Sequence, residues 1–406
     1  MIRDAAERVQ RLLGAVDDGL GSFGYTSRVR RAASLVELRR MARIRAPKAV
    51  FDYVDGAAER EVSLRSSRSS WDRVEFHPRV LRDVAEVDTS VTVLGRRYKQ
   101  PFGLGPTGFT RLMHTEGEIA VARAAAGLGV PYALSTVGTT TPEELAASGA
   151  ITEPWFQLYL WRDRGASREL VERAREAGFY ALILTLDMPV AGNRLRDARN
   201  GLAIPPAATW SALAEGALHP MWWIDALASD PVRFATLSSQ GGGAAEIANR
   251  MFDPSITLED VEWLRGLWAG PIVVKGALGI DDVELLAAVG VDAVVLSNHG
   301  GRQLDRSPLP LSLLRPVLDA VGDRMEVLLD GGVMSGADAV AGVALGARMV
   351  LVGRAYLYGL MAGGSVGVER ALALLAAETR RTMQLLGARS VAELEGMASF
   401  EPAALP

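Results

Sequence analysis

His299 is one of only four histidines in the 406-residue chain. It ends the apolar run Ala293–His299 and precedes Gly300, Gly301 and Arg302. An imidazole in that setting can act as a base near neutral pH. Arg302 offers a forked guanidinium suited to a carboxylate. Asp187 closes another apolar run and is suited to orient an imidazole and stabilise its protonated form. Lys275 ends a run that is otherwise apolar, and lysines are seldom buried unless paired. Three chemistries compete for it: a Schiff base, a phosphate clamp, or a cation beside a cofactor that becomes anionic. Asp330-Gly331-Gly332 and Gly353-Arg354 add a further cation and glycines that let backbone N–H groups approach phosphate oxygens. Tyr53 and Tyr159, taken singly, read as packing residues. The chain has no cysteine, which excludes thiolate nucleophiles, disulfides and cysteine-ligated zinc or iron–sulfur clusters. No metal site is expected.

These residues sit on a repeating scaffold. Eight short runs, Phe102–Pro106, Tyr132–Thr136, Phe156–Leu160, Ala181–Asp187, Ile272–Gly276, Ala293–His299, Glu326–Gly332 and Met349–Arg354, alternate with helical patterns. The clearest helices are Glu116–Leu128, Thr141–Ala147, Ser167–Ala177, Ile280–Ala288, Leu311–Val321 and Ala337–Leu345. Continuous apolar strands alternating with helices imply buried parallel strands with right-handed crossovers. Eight such units predict an α/β fold, a closed (β/α)8 TIM barrel. Its catalytic residues come from the C-terminal ends of the strands. Those ends hold Pro106, Thr107 and Gly108, Ser135, Gln157, Thr185 and Ser297 besides the residues above.

Successive runs begin 21 to 33 residues apart, except for 91 between the fourth and fifth. The surplus, about 189–256, holds Pro205-Pro206, Trp210, Met221-Trp222-Trp223 and Gln240–Gly243. A long βα-loop at the catalytic face reads as an active-site lid. Its tryptophans read either as packing or as membrane contact. Residues 1–33 read as an N-terminal extension and 34–397 as one domain, with the barrel at about 100–385 and a tail at 398–406. Ser34–Gly56 reads as helical, with Ser34 as N-cap, Glu37 three residues on, and Pro47 starting the next segment.

With 49% apolar and 23% charged residues, the chain can bury a large core. Forty-four Lys and Arg stand against 48 Asp and Glu, so the net charge of −4 offers no footprint for nucleic acid. The first 20 residues mix both charge signs with apolar residues, unlike a secretory signal. The expected location is cytoplasmic, with peripheral contact at the inner face of a membrane as a further option.

Ser297–Asp305, read SNHGGRQLD, resembles the active-site signature of the FMN-dependent (S)-2-hydroxy-acid dehydrogenases and oxidases. Phe51-Asp52-Tyr53, Pro106-Thr107-Gly108, Gln157-Leu158-Tyr159, Thr185-Leu186-Asp187, Arg194, Lys275, Asp330-Gly331-Gly332 and Gly353-Arg354 support it, in order. Within that family, Pro106–Ala120, Trp155–Asp163 and Gly353–Gly364 are most similar to bacterial L-lactate dehydrogenases. The resemblance implies that His299, paired with Asp187, takes a proton from carbon or hydroxyl of a 2-hydroxy acid. It implies that Arg302 and Arg194 hold the carboxylate and that Tyr53 and Tyr159 hydrogen-bond the substrate. Pro106, Thr107, Gly108, Ser135, Gln157 and Thr185 would hold the isoalloxazine of FMN, with Ser297 nearby. Lys275 would lie by the flavin N1–C2 edge, which selects the third chemistry above. Asp330, Gly331 and Gly332 would take the ribityl-phosphate chain, and Gly353 and Arg354 the phosphate.

The implied reaction is L-lactate to pyruvate, with mandelate or 4-hydroxymandelate as the alternative substrate. Electrons would pass to quinone or cytochrome, or alternatively to oxygen. A homo-oligomer, a tetramer by analogy, is implied. One position departs from the family pattern: an arginine usually follows the DGG loop, and here Met334 and Ser335 stand there. A barrel that binds a phosphorylated ligand without redox chemistry is the reading from outside this class.

Overall fold

The computed structural model describes residues 22–201, 219–229 and 252–401. Eight parallel strands close into a barrel: β1 Phe102–Thr107, β2 Tyr132–Ser135, β3 Trp155–Leu158, β4 Ala181–Thr185, β5 Ile272–Ala277, β6 Ala293–Leu296, β7 Glu326–Leu329 and β8 Val350–Val352. They pair in chain order, and β8 returns to β1 with Val350 opposite Phe102. β2, β3, β4 and β6 are buried along their whole length, which is why each reads as a largely apolar run. Strands and helices fall where the spacing predicts. Most strands end one to three residues early, because the chain leaves the barrel wall there and its polar residues hang at the mouth.

The described residues before the barrel, 22–101, form a cap. Helices α1 Ser22–Arg31, α2 Leu35–Arg45, α3 Lys48–Asp55 and α4 Val62–Trp71 precede the barrel. Ser34 caps α2, its Oγ accepting from the Glu37 N–H at 3.3 Å. A long helix, α7 Arg354–Leu386, follows β8 and packs against α1 and α2. The fold does not stop at 397: Ala398–Phe400 pairs antiparallel with Val74–Phe76.

Of the long connection after β4, α5 Leu195–Arg199 and α6 Pro220–Ala228 are described. Pro205-Pro206, Trp210 and Gln240–Gly243 lie outside the described residues. Trp222 is buried and its indole N–H donates to the Leu112 carbonyl at 3.1 Å. It therefore packs, while Met221 beside it is exposed.

Candidate active site

A polar chain crosses the barrel mouth. The His299 Nδ1 lies 2.9 Å from Asp187 Oδ1. The His299 backbone N–H donates to Ser297 Oγ at 3.0 Å, and Lys275 Nζ donates to the same oxygen at 2.6 Å. Lys275 Nζ also pairs with Asp330 Oδ2 at 3.0 Å. Loops after β4, β6 and β7 and the strand β5 thus meet through five side chains and one backbone amide. Gly276 makes room: it has a φ of +99°, and a Cβ there would stand 2.6 Å from Asp187 Cγ. His299 itself is left-handed at φ 55°, which turns its ring out of the strand direction.

Charge settles within this chain. Burial, the largest influence, pushes the Asp187 carboxyl up, but His299 and Lys275 bring it below its ordinary value. Burial pulls Lys275 down, and Asp330 and Asp187 outweigh it, so the ammonium persists. Burial and then Asp187 push the Tyr159 phenol well above its ordinary value, which keeps a neutral O–H donor at the mouth.

Two cations flank Tyr53. The Arg302 guanidinium lies 4.8 Å from its ring centroid and that of Arg194 5.9 Å. Burial, followed by the Arg194 charge, lowers Arg302 to about 10. Two arginines converging in a desolvated place favour an anionic guest. Arg302 also donates to the carbonyls of Tyr53 and Gly56, so it holds the cap helix as well. The cap is braced to the connection after β4: Arg196 on α5 reaches Asp55 at 3.1 Å and Glu61 at 2.6 Å. Asn200 donates to Asp52 at 2.8 Å. Tyr53 and Arg194 are thus fixed by their neighbours in sequence.

The expected cofactor residues stand on the strand ends and loops around the same mouth. Buried polar atoms without a partner among the described residues include Gln157 Nε2, Thr185 Oγ1, Asp187 Oδ2 and Asp330 Oδ1. Ser135 Oγ donates to Gln157 Oε1 at 2.9 Å and so turns the Gln157 amide N–H₂ outward. Thr107 Oγ1 lies 2.7 Å from the Tyr356 hydroxyl, which also donates to Gly105 O at 2.9 Å. Pro106 lies between them in β1, and a Cβ on Gly108 would stand 2.5 Å from Val137 Cγ2. Gly331 and Gly332 both have positive φ. A Cβ on Gly332 would stand 2.4 Å from the Ser67 carbonyl, so α4 demands that glycine directly. Gly353 opens α7, and a Cβ there would stand 4.0 Å from Thr107 Cγ2.

Arg354 also ties cap to signature loop. Its guanidinium donates to Val54 O at 2.8 Å, Gly56 O at 2.8 Å and Gly300 O at 3.0 Å. These three carbonyls lie more than 50 residues away in sequence, and no local pattern records them. Ser335 likewise caps the helix Gly336–Ala344, its Oγ accepting from Asp338 N at 3.0 Å.

A family model described as FMN-dependent dehydrogenase matches residues 42–399. The chain belongs to the FMN-dependent dehydrogenase family. FMN is accordingly its cofactor, and the unpartnered donors and acceptors around Lys275 fit a polar ring edge. A Mycobacterium tuberculosis protein, provisionally named an L-lactate dehydrogenase, is 51% identical over 371 residues, 91% of this chain and 90% of that one. The L-lactate dehydrogenase of Caulobacter vibrioides is 44% identical over 369 residues, 89% of this chain and 96% of that one. The solved structure of the monotopic membrane protein (S)-mandelate dehydrogenase superposes with a TM-score of 0.87 at 36% identity, covering 91% of this chain and all of that one. This flavin dehydrogenase has its signature nonamer doing more than chemistry. Gln303 donates to Asp187 O at 3.1 Å and Val190 O at 3.0 Å and accepts from Gly192 N at 3.0 Å. Asp305 Oδ1 accepts from Ser63 N at 2.8 Å, at the start of α4. Asn298 Nδ2 donates to Ser67 Oγ at 2.8 Å. These three were not singled out from sequence, although they stand inside the nonamer.

Proposed function

We propose that this flavoenzyme oxidises an (S)-2-hydroxy acid to the 2-oxo acid, with L-lactate to pyruvate as the first reading. The observation that carries it is the His299–Asp187 pair at 2.9 Å beside two arginines that converge on Tyr53. Arg302 and Arg194 would bind the substrate carboxylate and so orient its C2. Asp187 engages Nδ1 and leaves Nε2 as the nitrogen that takes the proton. Asp187 then stabilises the imidazolium. Tyr159, kept neutral, donates to substrate oxygen. Tyr53 does the same from the cap.

FMN, when bound, supplies the acceptor for the two electrons. Gln157, Thr185, Ser135 and the Pro106–Gly108 segment would hold its ring. Lys275 would sit as a fixed cation against the charge that develops there. Asp330 would take the ribityl chain. The phosphate would rest on Gly331, Gly332, Gly353, Arg354 and the first N–H groups of α7. Mandelate is the second reading, favoured by the solved neighbours named for it. A quinone or cytochrome is the proposed acceptor, with the enzyme held peripherally at a membrane as a homo-oligomer. The stretch about 189–256 is proposed as its lid.

The test is anaerobic addition of L-lactate to the purified holoprotein. Bleaching of the flavin absorbance is expected. Bleaching by mandelate and not by lactate would move the substrate reading. No bleaching by any 2-hydroxy acid would overturn the reaction.

A further inference from the structure

The chain as a whole is slightly acidic, but one stretch is not. Between residues 24 and 48, eight arginines or lysines stand against a single acidic residue, Glu37. Glu37 is consumed locally, accepting from the Ala33 N–H at 2.8 Å. Two of the cations point inward: Arg39 to Asp55 at 2.6 Å and Arg45 to Asp225. Lys48 pairs with Asp52. The other five, Arg28, Arg30, Arg31, Arg40 and Arg43, are exposed.

Val36, Arg40, Arg43 and Ile44 follow the i, i+4, i+7, i+8 spacing of one helix face. All four are exposed, Val36 at 54% and Ile44 at 71%. The opposite face, Leu35, Leu38 and Ala42, is buried. Neither Arg40 nor Arg43 has a carboxylate partner among the described residues; Arg43 lies 6.0 Å from the Phe51 ring. The surface extends on both sides. Tyr25 donates to Met41 O at 3.5 Å and brings α1, with exposed Arg28, alongside. His219 lies 3.0 Å from Ile44 O and sets the start of α6, with exposed Met221, beside that end of α2.

We propose that this face, α2 flanked by α1 and the start of α6, seats on an anionic lipid bilayer. It names a surface for the peripheral association stated above and rests on no part of the substrate reading. Charge complementarity selects an anionic partner. The aliphatic side chains standing between the arginines select lipid over nucleic acid or an acidic protein, because only a bilayer interface rewards both at once. α2 leads through Pro47 directly into the helix that carries Tyr53, and α6 belongs to the connection that carries Arg194. The docked face therefore borders the mouth where an acceptor dissolved in lipid would arrive.

The experiment is co-sedimentation of the full-length holoprotein with two kinds of vesicle, phosphatidylcholine alone and phosphatidylcholine with phosphatidylglycerol. Binding to the second and little to the first is expected. Arg40→Gln with Arg43→Gln should lower the partition coefficient about thirtyfold. Ile44→Asn alone should lower it too, and none of these changes should alter turnover with ferricyanide, a soluble acceptor. Equal binding to both vesicles, no binding to either, or binding untouched by the arginine changes would overturn the proposal. Duplex DNA that displaces the protein, with Ile44→Asn inert, would overturn it in favour of a polyanion site. Because no substrate is present in the vesicle assay, its failure is distinct from failure of the reaction.

Discussion

Gln303 donates to the backbone carbonyl of Asp187, so the residue four places beyond the histidine base holds the loop that supplies the partner of that base. The same amide fixes Val190 and Gly192, the segment leading to Arg194. Replacing it by leucine leaves two carbonyls and one N–H without partners. Gln303→Leu is expected to lower kcat roughly tenfold to hundredfold by misplacing Asp187. The acid limb of the kcat profile should move with it. A lower Tm with kcat and the profile unchanged would make Gln303 structural only.

His299→Gln should retain the flavin spectrum and lose flavin reduction by L-lactate. Glutamine keeps the bulk of the side chain but cannot take a proton. Stopped-flow absorbance decides it. Reduction at the normal rate would remove His299 from the role of base.

Met334 stands where an arginine is usual in the family, and a thioether donates nothing to phosphate. Met334→Arg should tighten FMN binding about tenfold to hundredfold, the worth of one charge-assisted contact. Quenching of flavin fluorescence on titrating the apoprotein measures this. Unchanged affinity would mean that residue 334 does not reach the phosphate.

Asp187 should impose an acid limit on stability. Burial raises its pKa, but His299 and Lys275 overcome this and hold it below the ordinary value. A depressed native pKa contributes stability that is present above the unfolded value of about 3.9 and lost as pH falls through the native one. Thermal melts taken downward from about pH 5 should fall more steeply for the wild type than for Asp187→Asn. Parallel slopes would contradict the pairing.

Asp305→Ala should cost about 1–2 kcal/mol, the loss of a helix cap, while substrate KM stays put. Thermal denaturation and steady-state kinetics together separate this from a binding role. A raised KM with an unchanged Tm would show that Asp305 acts on substrate.

The barrel was legible because a parallel strand buried on both faces is largely apolar, and β2 to β4 are such runs, each with a single polar residue near its C-terminal end. His299, Asp187 and Lys275 were legible because each interrupts or ends an apolar run with a group that is costly to bury. Helix α4 was not. Its buried face is Ser63, Ser67, Ser70 and Trp71, so the helical repeat is written in serine where a search for apolar periodicity finds nothing. Those small residues let α4 approach Gly332 and Asn298 closely. Arg354 shows what local pattern leaves out: only the folded path of Val54 and Gly56 brings two backbone carbonyls to its guanidinium.

The strand Ala398–Phe400 meets Val74–Phe76, and β8 meets β1, across most of the chain length. Neither closure can form until residues 350–352 and 398–400 have been made. The barrel that carries the mouth therefore closes late, and the two closures join strands about 250 to 320 residues apart in sequence. Such contacts between distant parts of a chain slow folding.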